Sequence, residues 1–264
     1  VSPRVNTALL IGGLLGLVLG VGLAIMFDQL DRVIRTVDDA EALGITVLGV
    51  IPHIDQSASI SANYGRKKRR NDRPETLGNR DLIVHSFPKS SVAECCRTIR
   101  TNITFMSAER PRKTLVVTSA SPREGKTTVS ISLAISLAQS GKRILIVDTD
   151  LRKPRIHRSF GKPLTRGVTT ILVGEHTAKE AIQETEIPGL SVLASGPIPP
   201  NPSELLHTEP FKQLLADLAK SYDHVILDSP PLAVVTDAAI IAPQVDGTVL
   251  IIHTQRTTRE GMRS

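Results

Sequence analysis

The chain has no tryptophan, two tyrosines and five phenylalanines among 264 residues. A surface that grips nucleic acid by stacking bases on aromatic rings therefore has almost nothing to be built from. The net charge of +6 points instead to anionic lipid or nucleotide, and no nucleic-acid partner is expected. Cysteine is nearly absent. Cys95 and Cys96 are adjacent, which excludes a disulfide framework and fits a reducing compartment. Seven histidines are scattered without ligand spacing, so no zinc or other structural metal site is expected. Size is no constraint, because 264 residues that are 41% hydrophobic can bury the core of one large or two small domains.

The middle of the chain carries a strand, a loop and a helix in succession. Leu115, Val116 and Val117 form an apolar, largely β-branched run, small and turn-forming residues follow, and Gly125-Lys126-Thr127 opens a helical pattern that stops at Gly141. Backbone N–H groups at such a helix start cradle phosphate oxygens, Lys126 neutralises β/γ charge, and Thr127 offers a hydroxyl to magnesium. The nucleotide loop is thus Ser121, Pro122, Arg123, Glu124, Gly125, Lys126, Thr127 and Thr128, and its ligand is ATP. Ala120 stands where the full consensus has its first glycine, so the first half is a variant.

Three aspartates end apolar strands nearby. Arg143 to Val147 runs into Asp148 and Asp150, and His224 to Leu227 runs into Asp228. Strand, crossover helix, strand implies parallel neighbours whose C-terminal ends share one crevice, so Asp148 and Asp150 arrive beside the phosphates. Asp228 has the Walker B arrangement that positions magnesium directly or through water. Further strands are expected at Leu190 to Leu193 and Gly247 to His253, helices after Thr177 and over Pro210 to Lys220, and a stiff loop over Gly196 to Pro202. The fold class is α/β: a P-loop NTPase with a mostly parallel, doubly wound sheet flanked by helices.

Upstream, Ala8 to Phe27 are twenty consecutive uncharged residues, long enough to span a bilayer. A secretory signal would have a shorter apolar region and a small-residue cleavage site. Arg32 and Arg35 follow the span while Arg4 alone precedes it, which places the C-terminal side in the cytoplasm. Gly12, Gly16, Gly20 and Ala24 recur every four residues, either as a stripe on which a second helix packs or as the ordinary glycine content of a span. The expected organisation is a periplasmic stub at 1–7, a transmembrane helix at 8–27, a juxtamembrane segment and linker at 28–90, and the nucleotide domain at 91–264. Within 28–90, an amphipathic helix is expected over 28–43, a short strand over Ile45 to Ile51 and a polar linker over Asp55 to Ser90. Arg66 to Arg70 in that linker is either a solvated run or a contact for anionic lipid. A start at Val1 and an end soon after the last strand lead us to expect missing segments on both sides.

Ser91 and Glu94 have capping-box spacing and open a helix to about Met106. Glu94, Arg97 and Arg100 recur every three residues on one side of it. From local chemistry alone, Glu94 either satisfies the helix N-terminus or pairs with Arg97 at the surface.

The sequence resembles the bacterial tyrosine kinases of capsular and exopolysaccharide export. The likeness covers nearly the whole chain and rests on Glu94-x-x-Arg97-x-x-Arg100, Ser-Pro-Arg-Glu-Gly-Lys-Thr-Thr, Asp148-x-Asp150-x-Arg152-x-Pro154, Pro199-Pro200-Asn201-Pro202-Ser203-Glu204-Leu205-Leu206, Asp228-Ser229-Pro230-Pro231, and the transmembrane helix with its Pro3-containing stub. The resemblance implies an ATP- and Mg2+-dependent protein-tyrosine autokinase of the bacterial inner membrane that regulates polysaccharide polymerisation and export. It implies that Asp148 accepts the tyrosine proton, that Lys126 and Arg152 join it in catalysis, and that Thr127, Asp150 and Asp228 arrange magnesium. Arg152 would hold phosphate or the acidic residues. Glu94, Arg97 and Arg100 would form a homo-oligomer that presents tails in trans. One departure stands out: the family's C-terminal tyrosine cluster is missing, and Tyr64 and Tyr222 are the only tyrosines, with Tyr222 expected to be structural. A partitioning-type ATPase switch is the rival, but Ser121 occupies the place of its signature lysine. A catalytically silent co-polymerase scaffold is the third reading.

Overall fold

The computed structural model describes residues 3–30, 33–52, 80–106, 112–254 and 256–258. The basic run at 66–70 and Tyr64 lie outside the described residues. Six strands form one sheet: β1 (Thr114–Ser119), β2 (Ile144–Asp148), β3 (Gln183–Glu184), β4 (Leu190–Leu193), β5 (His224–Asp228) and β6 (Gly247–Ile251). Their spatial order is β3-β4-β2-β5-β1-β6. Every pairing is parallel except the short antiparallel β3 on β4.

Alternation along each strand feeds two cores, one per sheet face. Leu115, Val117, Ile144, Ile146 and Ile226 face a layer built from the Lys126–Ala138 helix (Ile131, Ile135) and the Ser91–Met106 helix (Ile99, Ile103). Val116, Leu145, Val147, Val225 and Leu227 face Phe211, Leu214 and Leu218 of the Glu209–Ser221 helix. Cover on both faces is why the central strands read as unbroken apolar runs.

The sheet departs from expectation in one respect that matters for the site. β1 and β2 are not neighbours, because β5 is inserted between them and pairs with both. Crossover connections fix hand and direction but leave adjacency open. The insertion sets Asp228 directly beside Asp148 in register.

Several local expectations are also corrected. The helix expected over 28–43 is two pieces: residues up to Leu30 belong to a helix that starts at Pro3, and a separate short helix covers Val37–Glu41 under a Thr36 capping box. Between them Val33 bridges to Thr258, and the Ile34 N–H donates to Thr257 O at 2.9 Å. Residues 45–51 form no strand. They lie extended against the Ser91–Met106 helix, where Asn102 Nδ2 donates to Leu48 O at 2.8 Å. That helix is capped one residue early, by Ser90 Oγ accepting from Ala93 N at 3.2 Å. Within the expected linker, Arg80–Leu82 and Ile83–Ser86 are helical, and Ile83 and Val84 are buried in the core. Short elements at β3, Ile156–Ser159, Val168–Leu172, Pro202–Leu206 and Asp237–Ile241 escaped the periodicity, being too brief to show a repeat.

The first helix spans Pro3–Leu30, and Leu9, Leu10 and Leu14 on it are about 70% exposed (70%, 73% and 68%). Among the described residues no helix is long and apolar enough to cross a membrane. The transmembrane expectation for 8–27 is therefore not carried by the described part.

Candidate active site

β1 delivers the chain to the loop and the Lys126–Ala138 helix carries it away. Arg123 has φ 65° and Gly125, the N-cap, has φ 90°, left-handed values that curl a loop into a concave nest of N–H groups. The first backbone bond into the helix runs from Val129 N to Gly125 O at 2.9 Å. The N–H groups of Lys126, Thr127 and Thr128 precede that ladder and are the orphan donors from which a helix start makes an anion site. Ala120, 1% exposed, lies in the core and its carbonyl accepts from Ala233 N, so the absent glycine is a packed position.

One loop residue behaves differently from expectation. Glu124 is buried at 6% exposure and its carboxylate turns into the protein, accepting from Ser121 N at 2.9 Å and from Thr257 Oγ1. It braces the loop from inside, and its contribution to a nucleotide is confined to its backbone. Ser119 Oγ, donating to Ser121 O at 2.8 Å, is a second brace.

The Walker elements converge. Thr127 Oγ1 donates to Asp228 Oδ2 at 2.7 Å, and Ser130 Oγ, one turn on, donates to Asp228 Oδ1 at 2.8 Å. Burial pushes the Asp228 carboxyl up to about 6, against the pull of the Thr127 and Ser130 hydroxyls and of the Lys126 charge. Asp148 is fully buried. Its Oδ2 accepts from the backbone N–H groups of Arg155 and Ile156, each at 3.0 Å, while its Oδ1 is buried with no partner. Burial, then the neighbouring Asp228 charge, hold the Asp148 carboxyl well above the carboxylate range. Asp150 is half-buried, and its Oδ1 accepts from Lys153 N at 2.9 Å and Arg152 N at 3.3 Å. Its charge raises both Asp148 and Asp228, so the three carboxyls form one electrostatic group.

The Arg152 guanidinium pairs elsewhere. Its Nε donates to Asp237 Oδ2 at 2.9 Å and its Nη2 donates to Ser203 Oγ at 2.8 Å, with Ser203 Oγ in turn 2.6 Å from Asp237 Oδ1. Asp237 is completely buried. Of the two roles expected for Arg152, the structure shows a partnership with an acid, and that acid lies outside the magnesium group.

Glu94, Arg97 and Arg100 share the outer helix. Arg97 Nε donates to Glu94 Oε2 at 2.9 Å and its Nη1 to Pro88 O at 3.0 Å, and Arg100 Nη1 donates to Ser136 O at 2.7 Å. Arg100 thus ties this helix to the C-terminal end of the loop helix, where a cation meets the negative end of the dipole. Of the two local roles open to Glu94, which stays exposed, the structure shows the pair with Arg97. Tyr222 ends the Glu209–Ser221 helix and packs against the core, as expected of a structural tyrosine.

Sequence reasoning missed Asp81, Ser130, Arg155, Asp237 and Thr257. Ser130 falls one turn after Lys126 on the loop helix, a spacing that could have found it; the others meet the site from distant segments. Among the described residues no group of three or more His, Cys, Asp or Glu side chains is placed to hold a metal by itself. A magnesium ion that takes most of its ligands from phosphate and water asks for no such group.

The curled loop, the aspartate bonded behind its threonine and the parallel sheet define a P-loop NTPase domain, and residues 113–264 match the family described as the AAA domain. The chain is 44% identical over 181 residues to the tyrosine-protein kinase YwqD of Bacillus subtilis, 69% of this chain and 76% of that protein. It is 33% identical over 252 residues to the tyrosine-protein kinase etk of Escherichia coli K12, 96% of this chain but 35% of that protein. The solved kinase domain of Escherichia coli ETK superposes with a TM-score of 0.75 at 31% identity, covering 87% of this chain and 86% of that one. The chimerical protein CapA2B2 gives 0.73 at 35% identity, covering 86% and 90%. The chain belongs to the bacterial tyrosine-protein kinases, and it spans about a third of the length of the longer relatives it matches.

Proposed function

We propose that the chain transfers the γ-phosphoryl group of magnesium ATP to a tyrosine hydroxyl at the cytoplasmic face of the bacterial inner membrane, as an autokinase regulating polysaccharide polymerisation and export. The observation that carries this reading is the Thr127–Asp228 hydrogen bond at 2.7 Å beneath the loop, the Walker A to Walker B contact of a nucleotide site. The residues fit the absent groups. The loop supplies orphan amides, a Cβ built at Gly125 meets no atom within 4 Å, and Asp148 Oδ1 is a buried polar atom awaiting a partner. Thr127, with Asp150 and Asp228, would hold magnesium, which supplies charge neutralisation to the transferring phosphoryl group.

The chain's own residues do the rest by positioning. Lys126 and the loop amides hold the β and γ phosphates through Ser121 to Thr128. Asp148 Oδ1 accepts the phenolic proton. Burial raises the Asp148 carboxyl, and only its ionised form can take the proton, so turnover rises with pH. Arg152 anchors the Asp148–Asp150 loop to Asp237 and Ser203.

The same reading makes 8–27 a membrane anchor. A 28-residue helix is about 42 Å long at 1.5 Å per residue, and a row of exposed leucines is stable in lipid and costly in water. Glu94, Arg97 and Arg100 would dock on a second copy. The polysaccharide machinery as a partner rests on relatives such as the putative tyrosine-protein kinase in the cps region of Klebsiella pneumoniae.

The test is phosphotyrosine formation with magnesium ATP, comparing wild type, Lys126→Met and Asp148→Asn. We expect signal from wild type and at least a hundredfold loss in both variants. Signal that persists in both sinks the assigned site. Nucleotide binding without phosphotyrosine, on the chain itself or on an added tyrosine peptide, would favour the silent scaffold.

A further inference from the structure

Asp81 lies in the stretch that reads as linker, yet it is 3% exposed and bonded to both catalytic segments. Its Oδ1 accepts from Thr128 Oγ1 at 2.6 Å, in the first turn of the loop helix. Its Oδ2 accepts from Ser159 Oγ at 2.6 Å, and both oxygens accept from Arg155 Nη2, at 3.1 and 3.0 Å. Arg155 is the residue whose backbone N–H holds Asp148 Oδ2. One carboxylate therefore spans the phosphate cradle and the loop that carries the expected base.

Two consequences follow from elementary hydrogen bonding. A threonine hydroxyl has one proton to donate, and Thr128 gives it to Asp81, so phosphate contact at Thr128 is left to the backbone N–H. The Arg155 guanidinium, 56% exposed, is held at the wall of a cavity of about 560 Å³ that Arg123, Gly125 and Thr128 also line. A charge-assisted pair to a buried carboxylate fixes a long side chain that would otherwise sample many rotamers. We infer that Asp81 is a positioning residue for phosphoryl transfer: it locks the loop helix to the segment after β2 and fixes Arg155 beside the phosphate loop. The inference rests on the nucleotide site proposed above, and its test is built to be read whichever acceptor takes the phosphoryl group.

The full chain in detergent is assayed for total ADP formed from magnesium ATP, for affinity toward a fluorescent ATP analogue, and for thermal unfolding. Asp81→Asn keeps shape and one acceptor but loses the charge that orients Arg155. We expect ADP formation to drop about tenfold or more, while analogue affinity stays within about threefold, because amides and Lys126 hold the nucleotide. Arg155→Gln should match it, Arg155→Lys should recover most of the loss, and the double variant should be no worse than either single, as for residues acting as one unit. Wild-type turnover in Asp81→Asn, or losses that simply add in the double variant, would overturn the inference. If Asp81→Asn fails to fold, the Arg155 pair decides: equal turnover in Arg155→Gln and wild type refutes it. ADP formed without phosphotyrosine would refute the kinase reading alone, since the variants still rank by ADP.

Discussion

At the scale of single residues, the site is a set of carboxyls kept apart in role by their surroundings. Asp150 is half-buried and held by two backbone amides, whereas Asp148 and Asp228 are fully buried and shifted upward by that burial. The sign of the resulting pH dependence is fixed. A carboxyl whose folded value is raised retains protons that the unfolded chain has released, so its contribution favours folding at low pH and is lost as pH rises to the folded value. For Asp228 the window runs from its ordinary value of 3.8 to about 6, an effect of roughly 3 kcal/mol at 1.36 kcal/mol per unit. Without magnesium, the wild type should therefore lose stability relative to Asp228→Asn as pH is raised through that window. Denaturant melts at several pH values check it, and parallel curves for the two proteins would contradict it. None of this ordering was legible from sequence. Three aspartates at strand ends are visible, but which is buried depends on β5 entering between β1 and β2.

At the scale of elements, the strand–loop–helix unit was readable because its signals are local: β-branched residues, a glycine that takes positive φ, and a helix that begins at lysine. The ends of five expected strands were right to within one or two residues, while the strand expected over 45–51 does not form. Of the helices shorter than two turns, the one after Thr177 was legible from its capping box and forms over Ala178–Ala181, while the others left no repeat to read. The cap at Ser90 in place of Ser91 shows the limit of a spacing rule when two serines adjoin. The outer Glu209–Ser221 helix, by contrast, has a clear apolar face. Phe211 on it is fully buried beneath the sheet, and Phe211→Ala should destabilise the fold by about 3 to 5 kcal/mol. Denaturant unfolding measures this. A loss below about 1 kcal/mol would mean that the layer repacks. On the opposite side, the Ser91–Met106 helix keeps Glu94 exposed while Arg100 is spent on Ser136 O. Arg97→Glu should thus lower the oligomer mass seen in light scattering while leaving the monomer's melting curve within about 0.5 kcal/mol. Arg100→Glu should lower both.

At the scale of the whole molecule, the segment that follows the first helix reaches the phosphate loop. Ile34 bonds to Thr257, and Thr257 bonds to Glu124 inside the loop. If 8–27 spans a bilayer, the chain should remain in membranes through carbonate washing, and removal of detergent should aggregate it. Release into the wash would contradict the anchor.

The sequence by itself determined the phosphate cradle, the apolar strands, the aspartates at their ends, the absence of disulfides and the membrane-length run. Each of these is written in residues within a few positions of one another, where covalent geometry and periodicity speak directly. Tertiary structure alone decided the partners: Thr128 finds Asp81 47 residues away, Arg155 reaches the same carboxylate across 74, and Arg152 meets Asp237 across 85. Separation of that kind leaves no pattern in the chain, because the contact is set by which strands adjoin and which faces are buried. The expected linker, part of which bonds to the phosphate loop, is the plainest case. Asp81 is a polar residue in a polar stretch, and only the packing of Ile83 and Val84 into the core carries it beneath the loop.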